Sequence, residues 1–142
     1  MMRLYALLFL LIFSRITFAA TADLVIQVEG LKNAQGQVRA FLFDASSAFP
    51  KEELSIRQQQ IAVADNKNII RFNKLSPGKY AVSLFHDENN NGELDSKWYG
   101  PPSEGVGVSN NAKGGFGPPK YEQCEFEVKP GHNLISIKVK YL

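Results

Sequence analysis

Apolar and polar residues alternate with a period of two through most of the chain, and the spacing of an amphipathic helix is nearly absent. Leu24, Val25, Ile26 and Val28 open the first such segment, and Gly30 to Gly36 reads as a turn. Val38, Ala40 and Leu42 then alternate with Arg39, Phe41 and Phe43. Further strands are predicted at Gln59 to Ala64, Asn68 to Phe72, Lys79 to His86, Tyr121 to Val128 and Asn133 to Tyr141, seven in all. In the last, Ile135, Ile137, Val139 and Tyr141 alternate with Ser136, Lys138 and Lys140, so one face meets a core and the other water, the signature of an antiparallel strand. Helix is predicted only after Phe49, where Pro50 suits a first helical position and Lys51-Glu52-Glu53-Leu54 favours a turn or two.

Seven short strands over residues 23–142 predict an all-β domain, a seven-stranded antiparallel Greek-key β-sandwich of the immunoglobulin-like or transthyretin-like kind. An outer-membrane barrel fits less well. Single-chain bacterial barrels carry an even strand number and an outward apolar band, whereas Asp87 to Lys120 is a long polar, glycine-rich excursion. Leu75-Ser76-Pro77-Gly78-Lys79-Tyr80 predicts a turn, with Pro77 fixing φ, Gly78 supplying a positive φ and a strand starting at Lys79. That string resembles the L-x-P-G-x-Y strand entry of transthyretin-like and collagen-adhesin B-type domains.

The amino terminus reads as a targeting device. Met1 to Arg3 give a positive start, Leu4 to Phe13 an apolar run of ten, and Ser14 to Ala22 a small, polar exit. Ala20-Thr21-Ala22 places small residues where a leader peptidase reads them, and cleavage is expected before Asp23; Thr17-Phe18-Ala19 is a second acceptable site. The apolar run is far shorter than the roughly 20 residues a membrane helix needs. The expectation is a signal peptide over residues 1–22, export to the periplasm or beyond, and no stable membrane span afterwards.

Composition narrows the function further. A 44% hydrophobic and 21% charged chain is that of a folded domain, not a disordered one. Without Arg3 and Arg15, the remaining basic residues equal the 14 acidic ones in number. A chain with no basic excess has no electrostatic hold on nucleic acid. The single cysteine, Cys124, has no partner for a disulfide within the chain and shares the predicted strand face of Phe126 and Val128, which reads as a buried structural thiol.

The most distinctive segment is His86-Asp87-Glu88-Asn89-Asn90-Asn91-Gly92-Glu93-Leu94-Asp95, which contains D-x-N-x-N-G-x-x-D. Oxygens at positions one, three and five converge on a hard cation, a glycine at six permits the sharp turn, position seven offers its carbonyl and position nine ligates directly or through water. Asp87, Asn89, Asn91 and Asp95, with the carbonyl of Glu93, therefore fit a structural Ca²⁺ loop. Position twelve is Trp98 instead of a bidentate glutamate, so Glu88, Glu93, Glu104 or water must complete the sphere, and the affinity expected is on the order of 10⁻⁴ to 10⁻³ M. The same run equally suits a hairpin-like loop without metal. Zinc is disfavoured, because His86 and His132 are the only histidines.

Between Trp98 and Lys120 lie aromatics set among small residues. Trp98, Tyr99, Phe116 and Tyr121 offer a contact surface for a protein or a glycan, or else fold back over the open end of the sandwich. The glycines match no phosphate-binding motif. Catalysis would fall to His86 with nearby carboxylates, as in a small extracytoplasmic hydrolase, but adjacent strand residues point to opposite faces, which separates His86 from Asp87. His86 then reads as a brace for the loop. No serine-nucleophile motif is present, and a non-enzymatic module is expected.

Gly36-Gln37-Val38, Phe41-Leu42-Phe43, Pro77-Gly78-Lys79-Tyr80-Ala81 and the loop from His86 to Asp95 carry a wider likeness, with Gly100-Pro101-Pro102-Ser103-Glu104-Gly105, Ser109-Asn110-Asn111 and Gly117-Pro118-Pro119. In these strings the chain resembles the exported bacterial family called domain of unknown function 2141. The resemblance implies an exported β-sandwich and transfers no activity, substrate or catalytic residue.

Overall fold

The computed structural model describes residues 16–142, so the expected leader lies, up to Arg15, outside the described residues. Eight strands form among the described residues: β1 (Ala22–Glu29), β2 (Gln37–Phe43), β3 (Arg57–Ala62), β4 (Asn68–Leu75), β5 (Gly78–Asp87), β6 (Gly105–Val108), β7 (Phe126–Val128) and β8 (Gly131–Lys138). They build two sheets, one ordered β4-β1-β8 and one ordered β3-β2-β5-β6, with β7 also paired to β5. The fold is all-β. Leu24, Ile26, Ile70, Phe72 and Ile137 from the smaller sheet meet Val38, Ala40, Leu42, Val82 and Leu84 from the larger one, and this inter-sheet layer is the main core.

The larger sheet is buried on its other face as well. Phe41, Phe43, Ala81 and Phe85 turn outward from it into a second core, roofed by Phe49, Tyr121 and Cys124 with Val106, Val108 and Leu94 at the margin. Phe43 and Phe49 meet edge to face at 5.2 Å, and Phe49 and Tyr121 at 6.0 Å. This double burial explains why β2 and β5 carry apolar residues on both faces. A strand covered on both sides loses simple alternation.

Several expectations are corrected. The eighth strand, β6, lies inside the segment expected to be a continuous loop. Tyr121 to Val128 is not one strand: Tyr121–Cys124 is a single helical turn, α1, and only Phe126–Val128 is extended. Tyr121 and Cys124 sit three apart on one helical face and enter the second core, while Phe126 and Val128 pack on the first, so Cys124 does not share their face. The last strand runs parallel to β1, from Ala22 opposite Gly131 to Glu29 opposite Lys138, although its one-sided burial is as expected. After the cis Phe49–Pro50 bond the helix is one 3₁₀ turn, Glu52–Leu54, so Pro50 stands before it and not at its first position. Gly78 is not in the left-handed region; it is the first residue of β5, opposite Val128. The Tyr80 hydroxyl donates to the Ser76 carbonyl at 2.5 Å and ties that turn to the strand it feeds.

Candidate functional site

β5 ends at His86 and Asp87, and the pleat sends their side chains apart. Both are fully buried. The His86 ring turns toward the chain terminus, with Nδ1 2.8 Å from the Tyr141 hydroxyl and Nε2 2.6 Å from the Gln35 carbonyl. A carbonyl only accepts, so Nε2 carries a proton and donates it to Gln35, while Nδ1 and the Tyr141 hydroxyl share the second bond. The Tyr141 oxygen in turn accepts the Lys32 N–H at 3.1 Å. Both ring nitrogens are thus engaged, and neither faces a carboxylate or solvent.

Asp87 turns into the loop that follows. Its Oδ2 accepts from Gln37 Nε2 at 2.8 Å and from the Gly92 N–H at 2.9 Å, and its Oδ1 accepts the Asn91 N–H at 3.1 Å. Asn89 Oδ1 accepts the Asn91 N–H at 3.2 Å and Asn91 Oδ1 accepts the Glu93 N–H at 2.9 Å, turns that asparagine forms readily. The chain reverses through Asn90 and Gly92, at φ 56° and 81°. Arg39 Nη1 donates to the Gly92 carbonyl at 2.8 Å, which fixes the apex against β2.

Of the five expected ligands, the loop draws Asn89, Asn91 and Asp95 together. Asn89 Nδ2 donates to Asp95 Oδ2 at 2.6 Å and Asn91 Nδ2 to Asp95 Oδ1 at 2.9 Å. Asp87 belongs to the same turn through its hold on the Asn91 and Gly92 amides. Glu93 joins through its N–H, while its side chain is exposed. No group of three or more His, Cys, Asp or Glu side chains is disposed to hold a metal among the described residues. A cation here would rest on mixed carboxylate, amide and backbone oxygens.

Glu104 closes the loop from outside it. Its buried carboxylate accepts the Glu88 N–H at 3.0 Å through Oε1 and the Asp95 N–H at 3.1 Å through Oε2. Both ends of the loop are therefore clamped by one side chain. Glu88 bonds Lys32 Nζ at 2.9 Å and Asn33 Nδ2 at 3.0 Å. Desolvation pulls its carboxyl up, but the bonds from Asn33 and Lys32 and the charge of Lys32 outweigh this and hold it below the ordinary glutamate value.

Beyond Asp95 the chain makes a second, smaller hairpin. Ser96 bridges Pro102, the Lys97 N–H donates to the Pro101 carbonyl at 2.7 Å, and the Gly100 N–H donates to the Lys97 carbonyl at 2.9 Å. Trp98 and Tyr99 are the two central residues of that turn, and they meet edge to face at 5.3 Å. Trp98 is 95% exposed and Tyr99 58%. Phe116 is also fully exposed, whereas Tyr121 is buried in the second core and drops out of the expected contact surface. Ser109, Asn110 and Asn111 then bind three elements at once: Ser109 Oγ accepts the Val82 N–H at 3.0 Å, Asn110 Nδ2 donates to the Glu125 carbonyl at 2.8 Å, and Asn111 Oδ1 accepts the Lys138 N–H at 2.8 Å. Their role was invisible in the sequence, where only the polar string itself could flag it.

Among the described residues no helix is long and apolar enough to cross a membrane. The model of a family described as an uncharacterized protein conserved in bacteria matches residues 26–136. Neither the curated proteins nor the solved structures offer a match to this chain.

Proposed function

The chain belongs to that bacterial family, DUF2141, and from this premise we propose that it is an exported, non-enzymatic binding module whose Trp98–Tyr99 hairpin tip anchors a protein partner. The observation that carries the reading is the exposure of both aromatics at the centre of a pinned turn. Turn chemistry does not ask for them: Gly, Pro, Asn, Asp and Ser fill such positions for conformational reasons, and Trp or Tyr does not. An indole left in water forgoes about 2–3 kcal/mol of burial. Tryptophan and tyrosine dominate the centres of protein interfaces. With both rings exposed and Trp98 almost wholly so, the tip suits insertion into a partner's pocket better than it suits a sugar ring, which needs flanking walls and donors. The hydrolase reading has no support in His86, whose nitrogens are both spent on the fold.

The test is capture from an envelope extract of the native host by the exported chain and by Trp98→Ala/Tyr99→Ala, using one untreated and one protease-digested portion. The reading expects a protein retained by the unaltered chain alone and from the untreated portion alone. Retention of polysaccharide from the digested portion would make the tip a glycan platform, and equal capture by both chains would remove it from the function.

The loop under the tip is proposed as a Ca²⁺ site of structural purpose. Its support is the meeting of the Asn89 and Asn91 amides on the Asp95 carboxylate. Rotating each amide about its terminal torsion gives up the Asn91 and Glu93 N–H bonds to the two Oδ1 atoms and sets two carbonyl oxygens beside that carboxylate, a cluster of hard oxygen ligands suited to calcium. At a calcium concentration about ten times the dissociation constant, stability rises by about 1.4 kcal/mol. A melting midpoint raised by millimolar calcium over EGTA, and unmoved in Asp95→Ala, is the expected result; identical midpoints in both buffers remove the site.

A further inference from the structure

β1 is the central strand of its sheet, hydrogen-bonded on one side to β4 and on the other to β8. Its first residue, Ala22, stands opposite Leu75 and Gly131, is 1% exposed and belongs to the main core. The preceding carbonyl, that of Thr21, accepts the Gly131 N–H at 3.1 Å. Residues 16–21, by contrast, lie outside any strand and are exposed, with Ile16 at 78% and Phe18 at 90%. The fold therefore uses the chain from Thr21 onward and makes no strand of what comes before.

Resting on the export reading, we infer that the leader peptidase cuts between Ala19 and Ala20, and that the mature chain begins at Ala20. Four cuts compete near this point. A cut after Ala22 would remove a buried residue of the central strand together with the Thr21 carbonyl that holds β8 in register. A cut after Ala20 would place Phe18 at the third position back, where a small residue is read, and a cut after Thr21 would put a β-branched threonine next to the bond. A cut after Ala19 has Thr17 and Ala19 at the two recognised positions and leaves every paired residue of β1 in the product.

The Ala19–Ala20 bond lies in exposed chain ahead of the strand, so the fold does not depend on the peptide link lost there. Hydrolysis there breaks the C–N bond: water adds its hydroxyl to the Ala19 carbonyl carbon and a proton passes to the Ala20 nitrogen. The new ammonium lies in solvent, two residues ahead of the strand.

The test is intact mass and amino-terminal sequencing of the full chain after expression in a bacterium, with cytoplasmic, membrane and extracytoplasmic fractions separated. The expected product is extracytoplasmic and begins at Ala20, and Ala19→Phe accumulates as membrane-associated precursor. An extracytoplasmic product beginning at Asp23, or an Ala19→Phe chain processed at the unaltered rate, overturns this inference and leaves export standing. A chain still beginning at Met1 in the cytoplasm overturns export and this inference with it.

Discussion

Glu104 accepts backbone N–H groups from residues sixteen and nine positions earlier, so one buried carboxylate fixes both ends of the loop between β5 and the aromatic hairpin. Glu104→Gln keeps the shape but turns an N–H₂ group toward one of those donors. Hydrogen bonds to a charged acceptor contribute roughly 1.5–3 kcal/mol each, so the variant should lose about 2 kcal/mol by denaturant unfolding, with the loop amides of Glu88 and Asp95 exchanging faster. Glu88 makes a pH prediction. Its folded carboxyl titrates below its unfolded value, so its contribution is full above the unfolded value and is lost as the pH falls through the folded one. Lys32→Met should raise the Glu88 titration midpoint in NMR and shrink that acid-side loss; an unmoved midpoint contradicts the role of Lys32. Burial pushes the Cys124 thiol up to about 11, in keeping with a packing residue rather than a nucleophile. At this scale the sequence was uneven. D-x-N-x-N-G exposed Asp87, Asn89 and Asn91 because their roles are local, and alternation separated His86 from Asp87. Glu104 entered only as a spare ligand, because spacing cannot show which distant amides a side chain will cap.

Strands with one wet face were legible; those that depart from that pattern were not. β6 reads Gly-Val-Gly-Val, and its inward positions are glycines where alternation looks for apolar side chains. Space explains them. A Cβ at Gly107 would lie 2.8 Å from Ile137 Cγ2 and 3.0 Å from Leu84 Cδ1, and one at Gly105 would lie 2.5 Å from both Val139 Cγ1 and Tyr141 Cε1. The chain after β8 packs so closely here that Val106 and Lys140 exchange two 2.8 Å backbone hydrogen bonds and join the two sheets along this edge. Gly107→Val should therefore cost about 1–3 kcal/mol through overpacking, read as a lower unfolding midpoint; a variant as stable as the parent would show that β6 is not held against β8. The Tyr121–Val128 segment misled for a different reason. Alternating Cys124, Phe126 and Val128 mimic one strand, while the three-residue spacing of Tyr121 and Cys124 is too short a signal to announce a single helical turn. The parallel pairing of β8 with β1 was equally hidden, because one-sided burial constrains a strand's faces and not its direction.

At the scale of the whole molecule, two apolar layers hold the larger sheet between them. The second layer exists because the β2–β3 connection and α1 fold back across β2 and β5. Phe49, Tyr121 and Cys124 are thus spent on stability, while Trp98 and Tyr99 stay in water together, on a hairpin whose foot at Asp95 is held by Glu104. All-β class and the position of the loop were readable from alternation and turn residues, whereas the second layer required knowing which loop aromatics turn inward. The central claim is that the rigid base exists to present that tip. Its most direct test is titration calorimetry of the captured partner against the unaltered chain and against Trp98→Ala, with the melting midpoint of each as control. The account predicts that Trp98→Ala keeps the parent's midpoint and binds about 30-fold more weakly or worse, the loss expected of a central interface tryptophan. Equal affinity for the two chains would contradict it.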